Sequence, residues 1–321
     1  MNAIACIGAG NVGRSWAMVF ARAGHEVRLY DRETDTVRDK VLPLVAASLA
    51  DQQAAGLVDD AQAAAAHITA CESLEEAIDG ADYVQESISE QLELKQQVFR
   101  ALDAGSSPDC ILASSTSAIP GSEFMLELDH PERALIVHPV NPPHLIPLVE
   151  LCATTATDPE VVERVRRFMD GLGQVPIVLR REIRGFILNR LQFTLVGELM
   201  HLVAEGVCSP ADADKAVRHG LALRWAFLGP TEVAHLNATE GFLGFTDGLG
   251  AMMKRLARES RVDYDWTRAD AEAIHAAVDA YMPVENMEDF QRWRDRRIMA
   301  LRAHLADMQS QEPRPGDETA S

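Results

Sequence analysis

Positive charge is scarce in this 321-residue sequence: 30 Lys and Arg stand against 49 Asp and Glu, a formal net charge of −19. That excess repels a nucleic-acid backbone and an anionic membrane surface, so neither is an expected partner. A local cluster of donors can still hold a small anion. Long apolar runs are missing too. The best stretch, near Leu195 to Ala204, is broken by Glu198 and His201, and no membrane span is expected. The start, MNAIACIGAG, enters a strand-like run with no basic leader, so no signal peptide is expected. There are five cysteines (Cys6, Cys71, Cys110, Cys152 and Cys208), an odd count without a CxxC pair, and four lie in apolar strand-like segments. This pattern points to reduced, mostly buried thiols in a cytoplasmic protein. No spacing suits a metal site, and no bound metal is expected.

What is present is an ordinary globular composition, 47% hydrophobic and 25% charged, in a chain long enough for two domains. Strand-like runs fall at Ala3–Ile7, Glu26–Tyr30, His67–Cys71, Asp82–Gln85, Ile111–Ala113, Leu135–His138, Leu148–Cys152 and Val175–Val178. Most are separated by helical periodicity, which implies a parallel sheet covered on both faces. The gap between Leu135–His138 and Leu148–Cys152 is too short for a crossover helix, so this pair is expected to be antiparallel. From Ile183 the pattern is almost wholly helical. It includes a long helix over about Gly185–Glu205 and an N-cap at Ser209 followed by Pro210. The expected fold class is α/β: a dinucleotide-binding domain of Rossmann type over 1–182, then an all-helical domain over 183–310. The polar end, 311–321, reads as a disordered tail.

The first run leads into Gly8-Ala9-Gly10-Asn11-Val12-Gly13 and a helical stretch, and the second ends in Asp31, 18 residues after Gly13. In that context the glycines have separate tasks. Gly8 allows the tight turn, Gly10 the approach of a pyrophosphate, and Gly13 close helix–strand packing. The helix N-terminus then faces the phosphates. Asp31 suits the adenosine ribose hydroxyls and repels a 2′-phosphate, which favours NAD over NADP, although the neighbouring Arg32 leaves NADP open.

Ligands of such sheets sit at the carboxyl ends of the strands. Three segments end there: Ser114–Ser117, His138–Asn141 and Glu150. If HPVNPPHLIPLVE folds back on itself, Glu150 returns beside His138. A neutral histidine can then take a hydroxyl proton near neutral pH while the carboxylate fixes its tautomer. Without the upstream glycine motif, His138 reads as readily as a structural histidine. His144 reads as a solvated or substrate-edge residue among loop prolines.

GAGNVG, SISEQLELK, SSTS, HPVNPP…PLVE and GFILNRL, in this order, resemble the 3-hydroxyacyl-CoA dehydrogenase superfamily. GRSWAMVFA, HPVNPPHLIPLVEL, GFILNRLQ, EGVCSPAD and RWAFLGPTEVAHLNA are similar to its L-gulonate 3-dehydrogenase branch, which includes lambda-crystallin. The likeness reaches QRWRD and so covers nearly the whole chain. The resemblance implies His138 as the catalytic histidine, Glu150 as its support, and Ser117 and Asn189 as substrate contacts. It places cofactor contacts on Gly8, Gly10, Asn11, Val12, Gly13, Asp31, Glu90 and Lys95, to which Ser115 and Asn141 are added at the strand ends. Several of these have plainer readings. Ser117 can cap the turn that follows it, Glu90 suits a helix N-terminal acid, and Lys95 suits a surface helix charge. Where many acyl-CoA members have SNTS, this chain has Ser114-Ser115-Thr116-Ser117, as the gulonate branch does.

Between Lys40 and Lys95 there is no lysine or arginine. The resemblance puts part of the CoA contact in this region, which here is a poor dock for a CoA nucleotide. Arg224, in Leu223-Arg224-Trp225-Ala226-Phe227, suits a small substrate carboxylate. The expectation is NAD-dependent oxidation of a small carboxylate-bearing 3-hydroxy acid, L-gulonate first. Alternatives are a 3-hydroxyacyl-CoA substrate, L-carnitine, or a crystallin-like structural role in which NADH binds without turnover. The apolar helical domain implies a homodimer.

Overall fold

The computed structural model describes residues 1, 3–260 and 267–311, so the expected tail lies outside the described residues from 312 onward. Eight strands form one sheet: β1 (Ala3–Ile7), β2 (Glu26–Tyr30), β3 (Ile68–Ala70), β4 (Tyr83–Glu86), β5 (Ile111–Ser114), β6 (Ala134–Pro139), β7 (Leu148–Ala153) and β8 (Val175–Val178). Their order is β3-β2-β1-β4-β5-β6-β7-β8. Every neighbouring pair is parallel except β6 and β7, which are antiparallel. Because β1 lies between β2 and β4, the chain reverses its direction of travel across the sheet there, and the β1 and β4 ends flank the resulting crevice.

Both sheet faces are buried, and the pleat divides their residues. Ile4 and Cys6 pack on one side with Trp16, Phe20, Val165 and Met169. Ala5 and Ile7 pack on the other with Ile78, Phe99 and Leu102. Trp16 and Phe20, four residues apart on the helix Asn11–Arg22, present one apolar stripe to the sheet. Proline begins the helix Pro159–Gly171, and the Asp158 side chain accepts from the Glu160 amide, which satisfies a donor left free at that end.

The described residues group into two compact units. The first is Met1–Ile187 together with the chain from Arg292 onward, and the second is Leu188–Gln291. The last helix, Met287–Gln311, therefore contributes most of its length to the sheet-bearing unit. The second unit is helical, with its longest helices at Leu188–Ala204, Gly241–Glu259 and Arg268–Asp279. Ser209 caps the helix Pro210–Lys215 by accepting from the Asp212 amide. The first of these long helices starts later than the Gly185 expected from sequence, because Gly185 and Phe186 have φ of 74° and 48° and cannot belong to a right-handed helix. No described helix is long and apolar enough to cross a membrane.

Candidate active site

The glycine loop follows β1 directly. Gly8 has φ 98°, and its amide donates to Tyr30 O at 2.8 Å. A Cβ on Gly8 would come within 2.6 Å of Ser87 O, and one on Gly13 within 1.8 Å of Gly8 O. At Gly10 a Cβ would meet nothing within 4 Å. The first and third glycines are thus required by the protein's own packing, while the second faces open space at the start of the helix Asn11–Arg22. Asn11 is exposed and Val12 half-buried in the first helical turn. Asp31, just past β2, accepts from the Ala9 amide at 2.8 Å, so its carboxylate stands against the loop. Free helix amides, an open glycine position and an adjacent carboxylate fit a dinucleotide.

Beside this loop, β4 and β5 end in a polar cluster. Ser115 Oγ accepts from Trp16 Nε1 at 3.1 Å and from Gln85 Nε2 at 2.8 Å, and lies 2.9 Å from Ser87 Oγ. It thereby ties the glycine-loop helix to both strand ends. Lys95 is 1% exposed rather than on the surface, and its Nζ donates to both Glu86 oxygens at 2.9 and 3.1 Å. Glu86, itself fully buried, also accepts from Ser114 Oγ and from the Ile88 amide. Glu90 Oε1 accepts from Thr116 Oγ1 and from the Ser117 and Ala118 amides at 3.0 and 2.9 Å. Partial burial pushes the Glu90 carboxyl up. The bonds from Thr116 and Ala118, the Lys95 charge and the Ser117 amide outweigh this and hold it below the usual carboxylate range. Ser117, exposed on the turn held by Glu90, is three residues beyond the end of β5.

His138 and Glu150 are partners in the β6–β7 register. Residues directly opposite in an antiparallel pair point to the same face, so the return of the chain delivers the carboxylate to the imidazole. His138 Nδ1 lies 2.8 Å from Glu150 Oε2, with 3% and 0% exposure of the two residues. An ionised carboxylate only accepts, which assigns Nδ1 as the donor of this contact. Glu150 Oε1 accepts from the Ile187 amide at 2.8 Å, and the Phe186 ring centroid is 5.1 Å from that of His138. Sequence reasoning had singled out neither Phe186 nor Ile187, nor the Glu86 anchor. A lone acid closing the apolar strand Tyr83–Glu86 was the available sign of the last.

In the turn between these strands, Asn141 is exposed and the peptide before Pro142 is cis. His144 is 7% exposed, which corrects the solvated position expected of it. Burial, then the charges of Arg22, Arg14, Arg302 and Arg294, push its imidazole down to about 3, so it stays neutral. Its carbonyl oxygen accepts from Arg22 and Arg302 at 2.9 and 3.2 Å. The proline-rich stretch looks like surface because its ties reach residues distant in sequence.

The first unit thus brings Gly8, Gly10, Gly13, Asp31, Ser115, Glu90, Lys95 and His138 to the carboxyl ends of the parallel strands, and antiparallel β7 adds Glu150 from its amino-terminal half. Asn189 and Arg224 belong to the second unit. Asn189 is half-buried in the first turn of the helix Leu188–Ala204, and Arg224 is exposed in the short helix Ala222–Trp225.

Comparison with known proteins supplies the family. A lambda-crystallin homolog of Bos taurus is 40% identical over 302 residues, 93% of this chain and 94% of its own length. An L-carnitine dehydrogenase of Streptomyces griseus is 35% identical, over 86% of this chain and 79% of its own. Among solved structures, an NAD+-dependent dismutase, 5-formyl-3-hydroxy-2-methylpyridine 4-carboxylic acid 5-dehydrogenase, superposes with a TM-score of 0.83 at 26% identity, covering 95% of this chain and 99% of that one. Residues 3–183 match the NAD binding domain of 3-hydroxyacyl-CoA dehydrogenase, and residues 185–273 match its C-terminal domain. The chain belongs to the 3-hydroxyacyl-CoA dehydrogenase family and is an NAD-binding oxidoreductase.

Proposed function

We propose that this protein oxidises the 3-hydroxyl of a small hydroxy acid, with L-gulonate to 3-dehydro-L-gulonate as the leading reaction. The observation that carries the reading is the 2.8 Å contact of His138 with Glu150 at the carboxyl end of the sheet. His138 Nε2 accepts the hydroxyl proton as the C–H bond at the same carbon breaks. Glu150 stabilises the imidazolium that forms and holds the ring in its tautomer. NAD, when bound, accepts the hydride. Asn11, Val12 and the three glycines would hold its phosphates, Asp31 would hold the adenosine ribose, and Ser115 and Asn141 would line its nicotinamide end. Glu90 and Lys95 act on that end through the turn and the Glu86 anchor that they hold. The family likeness of SSTS and of GFILNRL supports Ser117 and Asn189 as substrate contacts.

Two features support a small acid over an acyl-CoA. Arg224 has no ion-pair partner among the described residues and stands in an apolar segment, where a bidentate clamp on a carboxylate is the natural use of a guanidinium. Across Val41–Leu94 there is no lysine or arginine to meet a CoA phosphate; just before it Arg38 is paired with Glu72, and Lys40 is exposed. Five free cysteines, four of them buried, favour a reducing compartment such as the cytoplasm. Exposed Leu191, Phe193, Leu223, Phe227 and Leu243 in the second unit favour a homodimer through that unit. The experiment follows NADH formation with L-gulonate, L-carnitine and 3-hydroxybutyryl-CoA side by side. The highest kcat/KM is expected with L-gulonate; preference for the thioester would reject the small-acid reading.

A further inference from the structure

The chain leaves the sheet-bearing unit through Gly185, Phe186 and Ile187, just before the helix Leu188–Ala204. Among the described residues Phe186 is the non-glycine residue with a positive φ. A side chain disfavours that region because its Cβ crowds the backbone, so such a conformation persists only where the surroundings enforce it. Here they do. Phe186 is 1% exposed, its amide donates to Ile183 O at 3.1 Å, and its ring packs into the core on the second sheet face. The same ring meets the His138 imidazole at 5.1 Å between centroids, tilted by 41°. One residue later the Ile187 amide donates to Glu150 at 2.8 Å.

Adjacent residues therefore touch the two members of the dyad, one through a side chain and the other through the backbone. A right-handed backbone at Phe186 would rotate the ring and the Ile187 amide away from these contacts together. With Oε1 anchored by Ile187, the Glu150 carboxylate presents Oε2 to Nδ1 in a fixed direction; with the ring in place, the imidazole is confined to one plane. The hydrogen bond from Ile187 sets the carboxylate and the ring contact sets the imidazole, and both depend on the backbone at Phe186.

We propose that Phe186 is a positioning residue for the dyad, confining the His138 ring with its side chain and aiming the Ile187 amide at Glu150 through its left-handed backbone. This rests on the reading of His138 and Glu150 as the acid–base pair. Phe186→Leu keeps the apolar volume but loses the flat ring, while Phe186→Tyr keeps the ring. With whichever of the three compounds is turned over, Phe186→Leu should lower kcat roughly 10–100-fold with KM within about twofold, and Phe186→Tyr should restore most of the rate. In a Glu150→Gln background the same leucine substitution should cost less than about threefold, since the arrangement it serves is already broken. Equal losses in both backgrounds, or wild-type kcat in Phe186→Leu, overturn the proposal.

A second readout needs no substrate. The proton on His138 Nδ1, identified in the NMR spectrum by its loss in His138→Gln, should exchange with water in Phe186→Leu and persist in Phe186→Tyr. An unchanged signal in Phe186→Leu also overturns the proposal. If none of the three compounds reacts with wild type, the functional reading fails, while this signal still decides the role of Phe186. Phe186→Met, unbranched and adaptable, replaces the leucine variant if that does not fold.

Discussion

His138 and Glu150 meet because their strands pair, and each loses something different on substitution. On the proposed mechanism, His138→Gln removes the group that takes the proton. Glu150→Gln keeps an acceptor of similar shape but withdraws the charge that stabilises the imidazolium. Each should lower kcat by roughly 10²–10⁴, with NADH affinity nearly unchanged, because neither side chain belongs to the glycine loop. Steady-state rates and NADH titration check this, and near-wild-type turnover in both variants would end the assignment. The dyad was legible in the sequence because the short gap between two apolar runs demands a return, and a return places one residue opposite another. Phe186 was not legible. GFILNRL has helical periodicity from its first residue, and a left-handed backbone leaves no trace in a pattern of apolar side chains. The plainer reading of Lys95 as a surface charge fails for a related reason, since its partner Glu86 lies on a strand and helix periodicity cannot show a contact across elements.

The turn after β5 depends on one carboxylate. Glu90 accepts from three groups of Thr116–Ala118, and they hold its pKa below the ordinary value of 4.5. A lowered folded-state pKa stabilises the folded form above the unfolded value, and that stability is lost as the pH falls through the folded value. The melting temperature of Glu90→Gln should therefore lie below that of wild type at neutral pH, with the gap closing as the pH drops below about 4.5. Thermal melts of both proteins across this range check the sign; a gap that widens in acid would show that Glu90 does not hold the turn. The sheet itself was readable strand by strand because alternating apolar runs and helices leave few topologies. The helix start at Leu188 was not, since its boundary is set by two residues whose φ is positive.

At the scale of the molecule the two units differ in what they bury. The sheet-bearing unit has two continuous apolar cores. Within Leu188–Gln291, Pro210 and Ala234 are the described residues that are buried, while Leu243 is 74% exposed and Phe193 61%. This exposed apolar surface is the ground for the proposed second copy. Light scattering on the eluted protein should give twice the mass of one chain, and Phe193→Glu should shift it toward the monomer; a monomer at all concentrations would remove the dimer. The last helix carries a different consequence. Arg302 donates to the His144 and Leu145 carbonyls, so it secures the turn that joins β6 and β7. Yet it is made 302 − 187 = 115 residues after Ile187, where the first part of its unit ends. At roughly 5–20 residues per second, the growing chain waits on the order of ten seconds for that clamp. During synthesis the nucleotide-binding unit thus remains unfinished until the helical unit has been made in full.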